Sequence, residues 1–150
     1  MARRKLFCEY GPVCYRLSLW KERLRKTLRD RRAGLCLARR RTAASLPALA
    51  KGHRSLVLRR LTGVDMALQK NKQVNLALAA GRIDGVVVEP GETFSFWALV
   101  GQPTAKRGYL PGLAIASGKA GTAVGGGLCQ LANLIHYLVL HSPLEVTELH

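Results

Sequence analysis

The run Gly125-Gly126-Gly127, set directly before a long apolar segment, constrains this chain more than any other stretch. Glycine buries no side chain and loses more backbone freedom on folding than any other residue, so three in succession serve the backbone. They predict a tight loop over 121–127 in which the chain takes positive φ or approaches something closely, feeding a helix. Segment 128–141 carries Leu128, Leu131, Leu134, Ile135, Leu138, Val139 and Leu140. Apolar nearly all round, it predicts a helix buried at the centre of the fold. At ~1.5 Å per residue it covers only about two-thirds of a bilayer core, too short to span one. Ser142-Pro143 ends it, because the residue before proline avoids the helical region.

Cys129 then falls in the first helical turn, where unpaired N–H groups and the helix dipole favour negative charge. Nucleophilic cysteines occupy such settings. A small buried hydrophobe packing the helix start is the alternative, and the residues alone leave both open. Cys129, Asn133 and His136 are spaced i, i+4 and i+7, on one stripe of the helix. Two turns, about 10 Å, separate Cys129 from His136, so His136 cannot be its direct base and is expected to be a satisfied core histidine. His141 fits the helix C-terminus, where a cation is favoured.

Charge divides the chain. The net charge is +15, and residues 1–60 hold 18 Lys and Arg against 3 Asp and Glu, while residues 61–150 hold 6 of each. A basic helical arm and linker over 1–54 joined to a neutral folded domain over 55–150 is the expected organisation, with an anionic partner for the arm. From Tyr15 to Arg32, Leu17, Trp20, Leu24 and Leu28 recur at three and four among basic residues, which predicts a basic amphipathic helix. It can lie on an anionic membrane surface through Arg23, Arg25, Lys26 and Arg29, or dock on its own domain; the narrow stripe favours docking. The Arg39-Arg40-Arg41 run lacks interleaved aromatics, so nucleic-acid binding ranks lowest.

Cys8, Cys14, Cys36 and Cys129 have neither zinc-ligand nor disulfide-framework spacing, so no metal or cofactor is expected and a reducing compartment is the simpler setting. No apolar segment develops after the basic start, so no signal peptide is expected. The chain is expected in the cytoplasm, peripheral to the inner membrane face at most.

In the neutral part Asp65 caps a helix that is expected to stop at Gly81. Asn71 and Asn75 meet on one side of it, by default a solvated polar face. Residues 83–88 and 93–97 read as strands, joined by a type II turn at Glu89-Pro90-Gly91-Glu92, and Leu113 to Ala116 as a third short strand. The fold class is α+β, since no βαβ repeat appears.

Several of these segments together resemble the VanW family: Glu89-Pro90-Gly91-Glu92-Thr93-Phe94-Ser95-Phe96-Trp97, Val100-Gly101 with Pro103-Thr104, Arg107-Gly108-Tyr109, residues 125–134 from Gly125 to Leu134, and His141-Ser142-Pro143-Leu144. Members accompany glycopeptide (vancomycin-type) resistance gene sets, which implies a role near cell-wall precursors. The family pattern continues past Glu148-Leu149-His150, where Leu149 stands in place of the usual Arg, into a histidine-rich segment and more β structure. The resemblance therefore implies a domain incomplete on its C-terminal side. Candidate binding residues come from the matched motifs: Gly125, Gly126, Gly127, Gln130, Asn133, Arg107 and Tyr109. One function class is a thiol-dependent acyl-transfer or amide-cleaving enzyme acting on a peptidyl or cell-wall precursor, with Cys129 as nucleophile, N–H groups of 126–128 as oxyanion donors and, as base, His150 or a residue of the family pattern beyond it. The other is a noncatalytic accessory or binding module at the inner membrane face, its glycine loop cradling an anion or peptide.

Overall fold

A computed structural model describes residues 7, 10–44, 46–58, 65–116 and 119–148. The chain forms two compact units, Met1–Leu37 with Glu89–Thr93, and Ala38–Val88 with Phe94–His150.

In the first unit α1 spans Pro12–Arg32. It begins ahead of the expected Tyr15 because proline is well suited to a first turn, where its missing N–H would have no partner anyway. Arg29, Arg31 and Arg32 close it, at the negative end of its dipole. Strand β1, Cys36–Leu37, pairs in parallel with β2, Glu92–Thr93, with Cys36 opposite Glu92. The turn into β2 is the expected type II: Gly91 sits at φ 83° and the Glu92 N–H donates to the Glu89 carbonyl at 2.9 Å.

In the second unit α2 spans Met66–Ile83, and the Asp65 carboxylate accepts the Ala67 N–H at 2.8 Å as an N-cap. The helix runs through Gly81 rather than stopping there. Arg41 reaches its end, donating to the carbonyls of Gly81 and Arg82 and so placing a cation against the dipole. The strand expected over 83–88 is corrected. Ile83 ends α2, and Val86 makes only an isolated antiparallel bridge with Arg41.

The strand expected over 93–97 is corrected as well. After β2 the chain turns into α3, Phe96–Val100, which buries Phe96 and Val100 four residues apart. A single turn of 3-10 helix, Ala105–Arg107, leads to the hairpin of β3, Pro111–Ala116, and β4, Lys119–Val124, with Pro111 opposite Val124 and Ala116 opposite Lys119. Strand β4 replaces the first part of the expected glycine loop.

Helix α4 spans Leu128–Val139 and buries only Leu128 completely. Leu131, Ala132 and Ile135 pack on the core while Cys129, Asn133, His136, Tyr137 and Leu140 are exposed. The expectation of a helix buried on all sides is thus corrected, and His136 is not a core histidine. The core comprises Ala79, Phe96, Val100, Tyr109 and Leu128, flanked by Leu76, Ile83, Phe94 and the α4 residues. Helix α2 takes the central place instead: Gln69, Lys72, Asn75 and Ala79 form its buried stripe. With four α-helices and two two-stranded sheets among the described residues, the fold is α+β.

Candidate functional site

The site is the junction of β4 and α4, and one buried amide holds it. Asn75 Nδ2 donates to the carbonyls of Leu110 at 2.9 Å and Gly126 at 3.0 Å, and its Oδ1 accepts the Leu110 N–H at 2.8 Å. Asn71, one turn earlier, donates to the Pro111 carbonyl at 2.8 Å. These asparagines form an internal clasp between α2, the start of β3 and the glycine loop, not the solvated face expected by default. Three bonds come from a side chain with no exposed surface, and without them the Leu110 N–H and the Gly126 carbonyl would be stranded.

The glycines close this junction. A Cβ at Gly126 would collide with the Gly112 backbone, one at Gly125 with the Pro103 ring, and one at Gly127 with the Lys72 stem. Gly127 also takes φ 95°, which side-chain-bearing residues resist. The close approach read from the sequence is therefore between parts of the chain itself. The Gly125 N–H donates to Leu110 and the Gly126 N–H to Ala123, both at 3.0 Å. Gly126 thus has no N–H left for an oxyanion, and the helix-start N–H groups of Gly127, Leu128 and Cys129 are without a partner among the described residues.

From that junction α4 begins, with Gly127 as its N-cap and no side-chain cap. Cys129 lies at the second helical residue, exposed and unbridged. Asn133 and His136 follow on the exposed side, so the stripe inferred from spacing is real and faces outward. Gln130 instead ties the preceding strap to the helix, its Nε2 donating to the Leu56 carbonyl at 3.0 Å and the Ser55 hydroxyl at 3.2 Å. Further along the strap His53 meets the Tyr137 ring at 4.7 Å between centroids, and His141 meets the same ring at 4.4 Å. The His141 Nδ1 also contacts the Tyr137 carbonyl at 2.8 Å, as a residue at the helix C-terminus should.

Arg107 and Tyr109 lie on the segment that leads into β3, and Tyr109 packs in the core with Leu128. The Arg107 guanidinium donates to the carbonyls of Gln102 and Val100, both at 2.7 Å, and so braces the loop after α3. Tyr109 is a core residue whose hydroxyl has no partner among the described residues. His150 lies outside the described residues.

Sequence reasoning missed Lys72 and Gln69. Both are buried on α2, and neither amide atom of Gln69 has a partner among the described residues. Their spacing with Asn75 and Ala79, three, three and four, was the available signal, masked because three of the four are polar.

A family model described as VanW like protein matches residues 71–150, which contain the clasp, the glycine loop and α4. The chain belongs to the VanW family. It is 41% identical over 115 residues to the vancomycin B-type resistance protein VanW of Enterococcus faecalis, an alignment covering 77% of this chain and 42% of that protein. It is 37% identical over 79 residues to the uncharacterized protein YoaR of Bacillus subtilis, covering 53% of this chain and 26% of that one. The matched part of this VanW-family chain thus covers less than half the length of the first relative and about a quarter of the second. No solved structure matches it.

Proposed function

We propose that this VanW-family protein takes part in glycopeptide resistance by acting on a peptidyl cell-wall precursor, with Cys129 as the nucleophile of an acyl transfer or amide cleavage. The observation that carries this is the exposed Cys129 thiol at the second residue of α4, behind an N-cap that offers no side chain. The free N–H groups of that first turn are donors for charge developing on an attacked carbonyl oxygen. In the reaction the sulfur adds to the carbonyl carbon, the C–N bond breaks, and the amine leaves with a proton. Water or an acceptor amine then releases the acyl group. Asn133, one turn along and exposed on the same side, is placed to hold a peptide amide.

A second reading is a binding module at the inner membrane face, in which the glycine loop, filled by Gly112, Pro103 and Lys72, is not itself the cradle expected for an anion or peptide. A loop filled by its own domain is a rigid support, and the exposed α4 side would then bind without bond breaking.

Alkylation of the full chain separates the two. A helix N-terminus favours an anion by up to ~1 kcal/mol at an exposed site, about fivefold in rate. Iodoacetamide is expected to modify Cys129 faster than the exposed Cys36, by up to about fivefold, followed by peptide mapping. Equal rates would remove the nucleophile and leave the binding module.

A further inference from the structure

We infer that α1 is a membrane-surface helix that lays its Leu17, Trp20, Leu24 and Leu28 side into the headgroup boundary of an anionic bilayer. The inference is independent of Cys129 and stands on the first unit alone. Among the described residues of α1 none is buried, and Val13, Leu17, Trp20, Leu24 and Leu28 are all exposed, Trp20 at 65%. Their spacing of four, three, four and four keeps all five within an arc of roughly 80° over about four turns of helix. Single exposed leucines need no explanation, but a continuous line of five apolar side chains does. Of the half-buried residues of α1, Ser18, Leu19, Lys26 and Asp30 lie away from the line and Cys14 lies beside it, while the five residues of the line itself are all exposed.

Charge decides what covers it. Helix α1 holds eight Lys and Arg against Glu22 and Asp30. At about 100° per residue, Arg16 and Arg23 flank the apolar line on one side and Lys21, Arg25 and Arg32 on the other. Long basic side chains so placed keep their stems on apolar surface and extend their charges to phosphate. The two acids sit away from the line and are paired within the helix, Glu22 with Arg25 at 3.0 Å and Asp30 with Lys26 at 3.6 Å. A nucleic acid would take up the charge but bury none of the leucines or the tryptophan. A second copy of α1 would cover the apolar line while bringing two strongly basic flanks together. An anionic lipid surface answers both features, with tryptophan at the interfacial depth it prefers. No described helix is long and apolar enough to cross a membrane, so α1 lies on the surface rather than spanning it.

The test uses the full chain with vesicles of phosphatidylcholine alone and with about one-third phosphatidylglycerol, read by co-sedimentation and by tryptophan emission. Binding to the anionic vesicles only, weakened by salt, with a blue shift lost in Trp20→Phe but kept in Trp97→Phe, is the expected result. Leu24→Gln/Leu28→Gln leaves the charge intact and is expected to lower partitioning by about tenfold or more. Arg23→Gln/Arg25→Gln is expected to weaken binding and flatten its salt dependence. Circular dichroism confirms that each variant keeps its helix. Unchanged binding of the leucine double variant would overturn the inference. So would no binding at low salt, displacement from vesicles by an equal charge of duplex DNA, or self-association through α1 that leaves the vesicles unbound.

Discussion

At the scale of single residues, two buried amides on α2 lead opposite lives. Asn75 is saturated by three hydrogen bonds to Leu110 and Gly126, whereas Gln69, 1% exposed, has no partner for either amide atom among the described residues. Removing Asn75 strands the Leu110 N–H and the Gly126 carbonyl, while the Leu110 carbonyl keeps the Gly125 N–H, and each buried orphan costs about 1–3 kcal/mol. Asn75→Ala is therefore expected to destabilise the domain by ~3 kcal/mol or more in urea unfolding, while Gln69→Met, which removes an unsatisfied group, is expected to be neutral or to stabilise by about 1 kcal/mol. A fall in stability for Gln69→Met would mean that its amide has a partner. The pairing of Asn71 with Asn75 was legible from their spacing. Their burial was not, because an asparagine that bonds backbone looks, in one dimension, like one that bonds water.

At the scale of elements, the local signals that held were those with a short-range cause. The Asp65 cap, the type II turn at Gly91 and the start of α4 after Gly127 each depend on a few consecutive residues. Alternation misled at Phe94 and Phe96, because Phe96 and Val100 are buried by helical spacing in α3. The apolar run of α4 misled in another way: Cys129, His136, Tyr137 and Leu140 are exposed in spite of it. The glycine loop is where elements are tested against one another. An alanine at Gly126 would drive its Cβ into the Gly112 backbone, which cannot give way as a flexible side chain can. Gly126→Ala is expected to lower stability by about 2 kcal/mol or more, with a lower midpoint of thermal unfolding as the measurement. Gly121→Ala in β4, with open space around its Cβ, is expected to stay within about 0.5 kcal/mol of the parent.

At the scale of the whole molecule, charge and packing are segregated. The excess positive charge belongs to the first sixty residues, and the core of Ala79, Phe96, Val100, Tyr109 and Leu128 lies wholly in the second unit. A protein shortened to residues 38–150 is therefore expected to keep a single cooperative unfolding transition and its β4–α4 junction. It is expected to lose the helical signal of α1, both followed by circular dichroism during heating. Loss of cooperative unfolding would show that the second unit leans on the first.

The sequence by itself determined the family, the α+β class, the basic amphipathic helix, and the glycine-led helix that carries Cys129 in its first turn. The family follows from the likeness of its motifs to known members, and the others from composition, periodicity or backbone demands within a short stretch. Tertiary structure alone decided that the three glycines pack against Gly112, Pro103 and Lys72, that Asn75 clasps them, and that Cys129 stays in the open. Those outcomes depend on which distant backbone arrives beside each residue, and a pattern of polar and apolar letters does not record that neighbour.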